Sequence, residues 1–432
     1  MAEPLRIGIA GLGTVGAGVA RLLATNRELL AARTGRELQI VAVSARDRHR
    51  DRGVDLSQVR WHGDPRSLAE DAEVDVVCEL IGGSQGPALD LCREALARGK
   101  PVVTANKAML AVHGAELAAT AERAGAPLAF EAAVAGGIPI VKSLREGLAA
   151  NQVRRVYGIL NGTCNYILTT MRETGRDFAS VLAEAQALGY AEADPSFDVD
   201  GIDAAHKLAL LAALAFGGRP RFDAIHVEGI RHVSALDISF AAELGYRIKL
   251  LGLARMTGQG LEQRLHPCMV PLAAPIAAVE GVFNGVVVDG DFVGNVVHEG
   301  RGAGAGPTAS AVVADLVDIA RGSRVPTFGV PAAALADHAI APIAAHVGSY
   351  YIRLLVTDRP GVLADVSAVL RDHDVSIEAL IQRGRNPDQP VPIVLTTHEA
   401  VEAHMTGALA RIAGLDSVIE PPRMIRIERL AS

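Results

Sequence analysis

Leu5–Leu30 reads LRIGIAGLGTVGAGVARLLATNRELL, and it decides the fold of the N-terminal part of the chain. Leu5–Ala10 is a short apolar run of strand type, and Ala17–Leu30 has helical spacing. Between them lies Gly11-Leu12-Gly13-Thr14-Val15-Gly16. In a GxGxxG loop the first glycine permits a tight turn. The second lets backbone approach a pyrophosphate, and the third lets the helix pack on the strand. Free amides and the dipole at the helix start favour an anion. Alone the motif is weak, and a glycine-rich turn without ligand is the bland alternative.

The context strengthens it. Apolar runs recur at Leu38–Ser44, Val74–Ile81, Pro101–Thr104, Pro127–Glu131 and Val153–Leu160, with helical segments between the early ones. Such alternation predicts an α/β domain, a doubly wound parallel sheet of Rossmann type. Cofactor choice is read after the second run, where an acid would suit the ribose hydroxyls of NAD. Here Ser44-Ala45-Arg46-Asp47-Arg48-His49-Arg50 offers small residues and arginines, which suit a 2′-phosphate. Arg46 points to NADP, with NAD the alternative. Arg50 and Arg52 are expected to belong to a solvated charged loop.

Size and charge narrow the class. The chain has 432 residues and a net charge of −7, enough for two to four domains at roughly 100–200 residues each. A mildly acidic chain with 4% aromatics argues against a nucleic-acid partner. The longest apolar run, Leu208–Phe216, falls short of the ~20 residues a bilayer span needs. No signal-peptide pattern opens the chain, and Cys78, Cys92, Cys164 and Cys268 lack metal-ligand spacing. A cytoplasmic protein with reduced, mostly buried thiols is expected, without a membrane partner.

The most charged stretch is Leu188–Lys207, LGYAEADPSFDVDGIDAAHK, which runs directly into LALLAALAF. Glu192, Asp194, Asp198, Asp200 and Asp203 precede one lysine, Lys207. Charges are rarely buried unless paired, so a polar site against a core is indicated. Asp203 and Lys207 share a helix face at this spacing. They could form a simple surface ion pair, or a proton-handling pair tuned by burial and opposite charge. Asp200 is expected to cap the helix, with Asp203 as the acid of a capping box. Asp194 and Asp198 have no assigned role, and at least one is expected to be structural. Lys107 follows the fourth apolar run, at the end of the sheet where ligands bind. It is a second candidate substrate-facing cation, or else a surface lysine.

Beyond a mixed middle region, Thr308–Arg321 reads as a helix with Thr308 as its cap. Gly322–Ile343 is rich in Gly, Pro and Ala. The tail then shows strand Tyr350–Val356, helix Pro360–Arg371, strands Val375–Gln382 and Val391–Thr397, helix Val401–Ile412 and strand Met424–Ile427. That β-α-β-β-α-β order is ferredoxin-like.

Together these motifs resemble homoserine dehydrogenase over nearly the whole chain. The resemblance rests on GLGTVG (11–16), TANKAML (104–110), EAAVAGGIPIV (131–141), GILNGTCNYIL (158–168), LGYAEADPSFDVDGIDAAHK (188–207) and GRGAGAGPTA (300–309). The tail, with DRPGVLADVSAVL at 358–370, resembles an ACT domain. The implied organisation is a nucleotide-binding domain over 1–134, completed by about 306–330, and an α+β substrate and dimerisation domain over 135–305. A linker at 331–347 and an ACT domain at 348–432 complete it.

The resemblance implies reversible NAD(P)H-dependent reduction of L-aspartate 4-semialdehyde to L-homoserine, in threonine, methionine and isoleucine biosynthesis. It places catalysis on Lys207, Asp203 and Lys107. Glu192, Asp203, Tyr190, Thr163 and Gly162 would bind substrate, with Asn161 beside them. Gly11, Leu12, Gly13, Thr14, Val15, Gly16, Arg46, Lys107, Gly189 and Gly306 would meet the cofactor. A monovalent cation, Na+ or K+, would sit on backbone oxygens at Glu131, Val134, Gly136 and Ile138. Cys164 is expected to fill space beside the pocket. A homodimer or homotetramer is expected, with L-threonine as effector of the ACT domain, unless that domain only builds the oligomer. The rival readings are another amino-acid dehydrogenase and a nucleotide-sensing protein without catalysis.

Overall fold

The computed structural model describes residues 2–383 and 390–430. Six parallel strands form the first sheet: β1 (Ala2–Ala10), β2 (Arg36–Ser44), β3 (Arg60–His62), β4 (Val76–Glu79), β5 (Val102–Thr104) and β6 (Leu128–Ala129). Their order, β3-β2-β1-β4-β5-β6, is the doubly wound one, with the reversal beside β1. β1 buries both faces, as a central parallel strand must. The short edge strand β3 is not visible in the sequence, because Trp61 is its single apolar residue. Pro127–Glu131 shortens to β6 and passes into a 3₁₀ turn at Glu131–Ala133.

Helix Ala305–Ala320 returns to this sheet. Its Ala309, Val312 and Leu316 share one core with Ile7, Ile9, Val19 and Val76. Gly18 permits the approach: a Cβ there would lie 2.7 Å from the Ala305 carbonyl oxygen. The helix starts earlier than expected, with Gly304 as its cap, so Thr308 lies inside the first turn. Pro307 is tolerated there because first-turn amides have no helical partner.

The remaining strands build a second, mixed sheet. They are β7 (Val153–Ile159), β8 (His226–Val227), β9 (Tyr246–Thr257), β10 (Gly260–Pro271), β11 (Phe283–Gly290), β12 (Gly294–Arg301), β13 (Val347–Thr357), β14 (Ile377–Gln382), β15 (Pro390–Thr397), β16 (Ala400–Val401) and β17 (Arg423–Ile427). Nine lie in the order β12-β11-β7-β9-β10-β17-β13-β15-β14, with β8 beside β10 and β16 beside β13. Within it, β17-β13-β15-β14 carries helices Val362–Asp372 and Glu402–Ile412, the ferredoxin-like arrangement.

The tail's sheet is therefore continuous with the middle region. Cys268 on β10 stands opposite Arg426 on β17, and Met269 opposite Ile427. Paired charges line this seam. Arg264 donates to Glu262 at 2.7 Å and also binds Glu428, while His346 meets Glu262 at 2.7 Å. Arg353 and Tyr351 of β13 both donate to Asp237, at 2.7 and 3.0 Å. The segment leading into the tail is packed as well: Leu261 exchanges backbone bonds with Ala339 and Ala341, at 2.8 and 3.0 Å.

Helix Ile202–Phe216 lies between the two units, against β7, β9, β10 and helix Lys107–Ala124. Twelve of its 15 residues are buried, and from Leu208 onward it is apolar on every side, as a buried helix is. It begins after Gly201 and has no side-chain cap. Asp200, the expected cap, turns outward to Arg231 at 2.5 Å. No helix among the described residues is long and apolar enough to cross a membrane.

The close helix crossing gives a stability test. Gly18→Val should cost about 1–3 kcal/mol by overpacking against Ala305 and lower Tm by several degrees in scanning calorimetry. An unchanged Tm would mean that the crossing has room to spare.

Candidate active site

A cleft of about 550 Å³ opens between the two units. Three glycines shape its nucleotide side. Gly11 has φ +94°, and a Cβ there would run into the Leu80 backbone. At Gly16 a Cβ would overlap the Gly11 carbonyl oxygen. At Gly13 a Cβ would meet nothing within 4 Å. Gly11 and Gly16 are thus demanded by the protein's own packing. Gly13 is not, and it caps helix Thr14–Thr25 without a side-chain bond to that helix's amides. An open position before free amides fits a pyrophosphate. Val15 lines the cleft, Thr14 is exposed beside it, and Leu12 is buried.

One expectation about the neighbouring loop is overturned. Arg52 is 8% exposed and belongs to no solvated charge run. It donates to the carbonyls of Leu12 (3.2 Å), Arg50 (2.6 Å) and Asp47 (2.5 Å), tying the loop after β2 to the glycine loop. The Asp47 carboxylate is occupied by the amides of His49 and Arg50, at 2.8 and 3.2 Å. Arg46 is exposed at the end of β2, and Arg48 lies over Trp61 at 5.7 Å.

The opposite wall carries the charges. Lys207 Nζ donates to Asp203 at 2.7 Å and to the Leu160 carbonyl at 2.8 Å. Lys107 reaches the other Asp203 oxygen at 3.2 Å from across the cleft. Asn161 donates to Asp203 at 2.9 Å and to Asp198 at 2.7 Å, while its side-chain oxygen caps helix Gly162–Thr174 by accepting from Cys164 N at 2.8 Å. Burial alone would raise the pKa of Asp203, but Lys207 and Lys107, with hydrogen bonds from Lys207 and Asn161, hold it well below the usual range. Burial raises Asp198, and the Asp203 charge adds to that, against the Asn161 bond.

Lys107 owes its position to a relay at the end of β4 and β5. Thr104 donates to buried Glu79 at 2.6 Å, Asn106 N donates to Thr104 at 2.9 Å, and the Asn106 side chain caps helix Lys107–Ala124.

Asn161, Gly162, Thr163, Gly189, Tyr190, Asp203, Lys207 and Lys107 all line the cleft. Thr163 fixes the Tyr190 carbonyl at 2.7 Å. Glu192 is exposed and does not line it, and neither does Gly306, which sits one residue into helix Ala305–Ala320. Asp194 is structural, accepting from Ser196 N at 3.1 Å. Asp198 faces the cleft, a place the acidic run alone did not single out. Asn284 and the Arg301–Gly304 turn also line it; the turn's run of glycines was the available signal. Cys164 is fully buried and donates to the Asp198 carbonyl at 3.3 Å, and burial pushes its thiol up, as suits a filler. All four cysteines are free and buried.

Of the expected cation ligands, Val134 borders the cleft and Gly136 turns at φ +52°. The Ile138 carbonyl accepts from Ile140 N at 2.8 Å. The Glu131 carboxylate accepts from the amides of Val141 (2.9 Å) and Lys142 (2.8 Å).

A Rossmann sheet facing a lysine–aspartate cleft, with a ferredoxin-like tail, is the plan of a pyridine-nucleotide oxidoreductase bearing an added small domain. Comparison with known proteins agrees. Residues 139–317 match the homoserine dehydrogenase family model, 11–131 the model of the homoserine dehydrogenase NAD binding domain, and 350–414 the ACT domain. Homoserine dehydrogenase of Pseudomonas aeruginosa is 48% identical, covering 99% of this chain and 100% of the relative. The crystal structure of a homoserine dehydrogenase from Thiobacillus denitrificans has a TM-score of 0.93 at 45% identity, covering 99% of each chain. A hyperthermophilic archaeal homoserine dehydrogenase in complex with NADPH covers 74% of this chain and 99% of its own, at 28% identity and a TM-score of 0.63. The chain belongs to the homoserine dehydrogenase family.

Gly13 separates a ligand role from a folding role. Gly13→Ala should leave Tm unchanged and weaken nucleotide binding at least about tenfold, ~1.4 kcal/mol, in a fluorescence titration. Unimpaired binding would place the pyrophosphate elsewhere.

Proposed function

We propose that the protein interconverts L-aspartate 4-semialdehyde and L-homoserine with NADP(H). The observation that carries this reading is the convergence of Lys207 and Lys107 on Asp203, across the cleft from the glycine loop. When bound, the reduced nucleotide supplies a hydride to the aldehyde carbon. Lys207 donates the proton to the oxygen on which negative charge develops. A lysine ammonium has three N–H groups; two are directed at Leu160 and Asp203, which leaves one for substrate. Asp203 orients the ammonium, and Lys107 adds positive charge beside it. In the reverse direction Lys207 takes the proton back. Asp198 gives the cleft a second acid for the substrate's ammonium. Glu192 can share that task only if the turn after Gly189 folds inward.

NADP is favoured over NAD because Asp47 is occupied by its own loop, while Arg46 is exposed at the end of β2 and Arg48 is exposed over Trp61. The NADPH bound by the archaeal relative points the same way. A monovalent cation would rest on backbone oxygens at Glu131, Val134, Gly136 and Ile138, where the turn at Gly136 bends the chain beside the cleft. We further propose cytoplasmic residence and a homodimer or homotetramer. Edge strand β12 and the exposed Phe292 offer surface for a second copy. The ACT domain suggests control by L-threonine, with Asp358 near the effector. A nucleotide sensor without catalysis is disfavoured by the intact Lys207–Asp203 pair.

Lys207→Ala should lower kcat for NADPH oxidation with L-aspartate 4-semialdehyde by at least ~10²-fold, the low end for a lost general acid, with NADPH binding retained. A near-normal kcat would remove Lys207 from the reaction. Initial rates with NADPH and NADH, each with and without L-threonine, should favour NADPH and show inhibition that Asp358→Asn relieves. Equal rates with both nucleotides, or threonine sensitivity unaltered by that substitution, would defeat the respective assignment.

A further inference from the structure

Glu228 lies outside the cleft, on the segment joining β8 to helix Ala235–Glu243, yet its bonds run both ways. Toward the tail, its carboxylate accepts two bonds from Arg426 of β17, at 2.9 and 3.1 Å, and meets His226 at 2.7 Å. Arg426 is in turn held by Glu402, at the start of a tail helix, which also accepts from Tyr350 at 3.0 Å. Arg426 is 2% exposed, so its placement is set by these partners.

Toward the active site, the same segment lies flat against the turn that precedes the Lys207 helix. Glu228 N donates to the Leu265 carbonyl at 2.8 Å, and Ile230 N donates to the Val199 carbonyl at 2.9 Å. A Cβ at Gly229 would come within 2.6 Å of Asp200 Cα and overlap the Val199 carbonyl oxygen. Arg231 grips the Asp200 carboxylate at 2.5 and 3.1 Å and Ser196 at 3.1 Å. Gly201 comes next, then the helix with Asp203 in its first turn and Lys207 in the second. Backbone pressed on backbone has no slack, so a shift of Glu228 is passed to the helix start.

We infer that Glu228 is a positioning residue for the Lys207–Asp203 pair, braced by Arg426 of the C-terminal domain's last strand. The C-terminal domain thereby sets the register of the catalytic helix, with none of its described residues in the cleft. This rests on the reading of Lys207 and Asp203 as the reducing centre, and Lys207→Ala tests that reading separately.

The test uses the full chain. Glu228→Gln keeps the shape and removes the charge that holds Arg426. It should lower kcat roughly 5- to 50-fold, within the loss a ~1 Å misplacement can cause, while KM for NADPH stays within about twofold. Near-ultraviolet circular dichroism and Tm should stay near wild type. Glu228→Asp, which keeps the charge, should recover part of the rate. Combining Glu228→Gln with Arg426→Lys should cost little more than the worse single change, because both act on one link. A folded Glu228→Gln enzyme with normal kcat would overturn the inference. So would kcat losses that simply add in the double variant, or that only track a lowered Tm.

Discussion

Everything in the cleft depends on one buried ammonium. Lys207 sits on a buried helix that is wholly apolar from Leu208 onward, and an unpaired charge there would not survive folding. Asp203, one turn earlier, makes it tolerable, and Asp203 is itself held by Asn161 and Lys107. The consequence is geometric. Lys107 comes from the nucleotide-binding unit and Asp203 from the mixed sheet's unit, so the electrostatic needs of one lysine bring both walls together. Neutralising this small cluster and closing the reaction site are the same physical event.

The second constraint is the seam between β10 and β17. Two strands that contribute to different compact units pair in parallel there, and charged side chains are buried beside them in compensating sets. Removing one member of such a set leaves an uncompensated buried charge, which is far more damaging than the net worth of the pair. The tail is thus wired into the middle region by electrostatics as well as by backbone pairing, and it is not an appendage on a tether.

What was legible in the sequence came from local rules. The glycine loop, the alternation of the first sheet and the shared face of Asp203 and Lys207 each need only a short window of chain, and each is present in the fold. What was not legible needed partners distant in sequence. Arg52 looks like part of a solvated basic run until Leu12 is brought to it. Asp200 looks like a helix cap until Arg231 draws it outward. Asn161 announces a helix start, yet its second task of joining Asp198 to Asp203 exists only once residues 37 and 42 positions on are folded beside it. Thr308 was an acceptable cap by type, but Gly304 and the crossing at Gly18 set the true start. The junction of the tail's strands with those of the middle region has no signature, because β17 reads as an ordinary short strand.

That seam also governs how the polypeptide can be made. Glu428, which neutralises the buried Arg264, lies 164 residues beyond it. The ribosome has therefore released most of the mixed sheet before the strand that finishes it exists, and at ~5–20 residues per second this gap lasts many seconds. During that interval β8 already covers β10 at Arg264 and Leu265, but the edge at Cys268 and Met269 stays open and Arg264 lacks Glu428, the kind of edge that invites pairing with other chains. Closure of β10 at Cys268 and Met269 thus waits for the last of the described strands, and the burial of Arg264 against Glu428 is completed only with the residue that follows that strand.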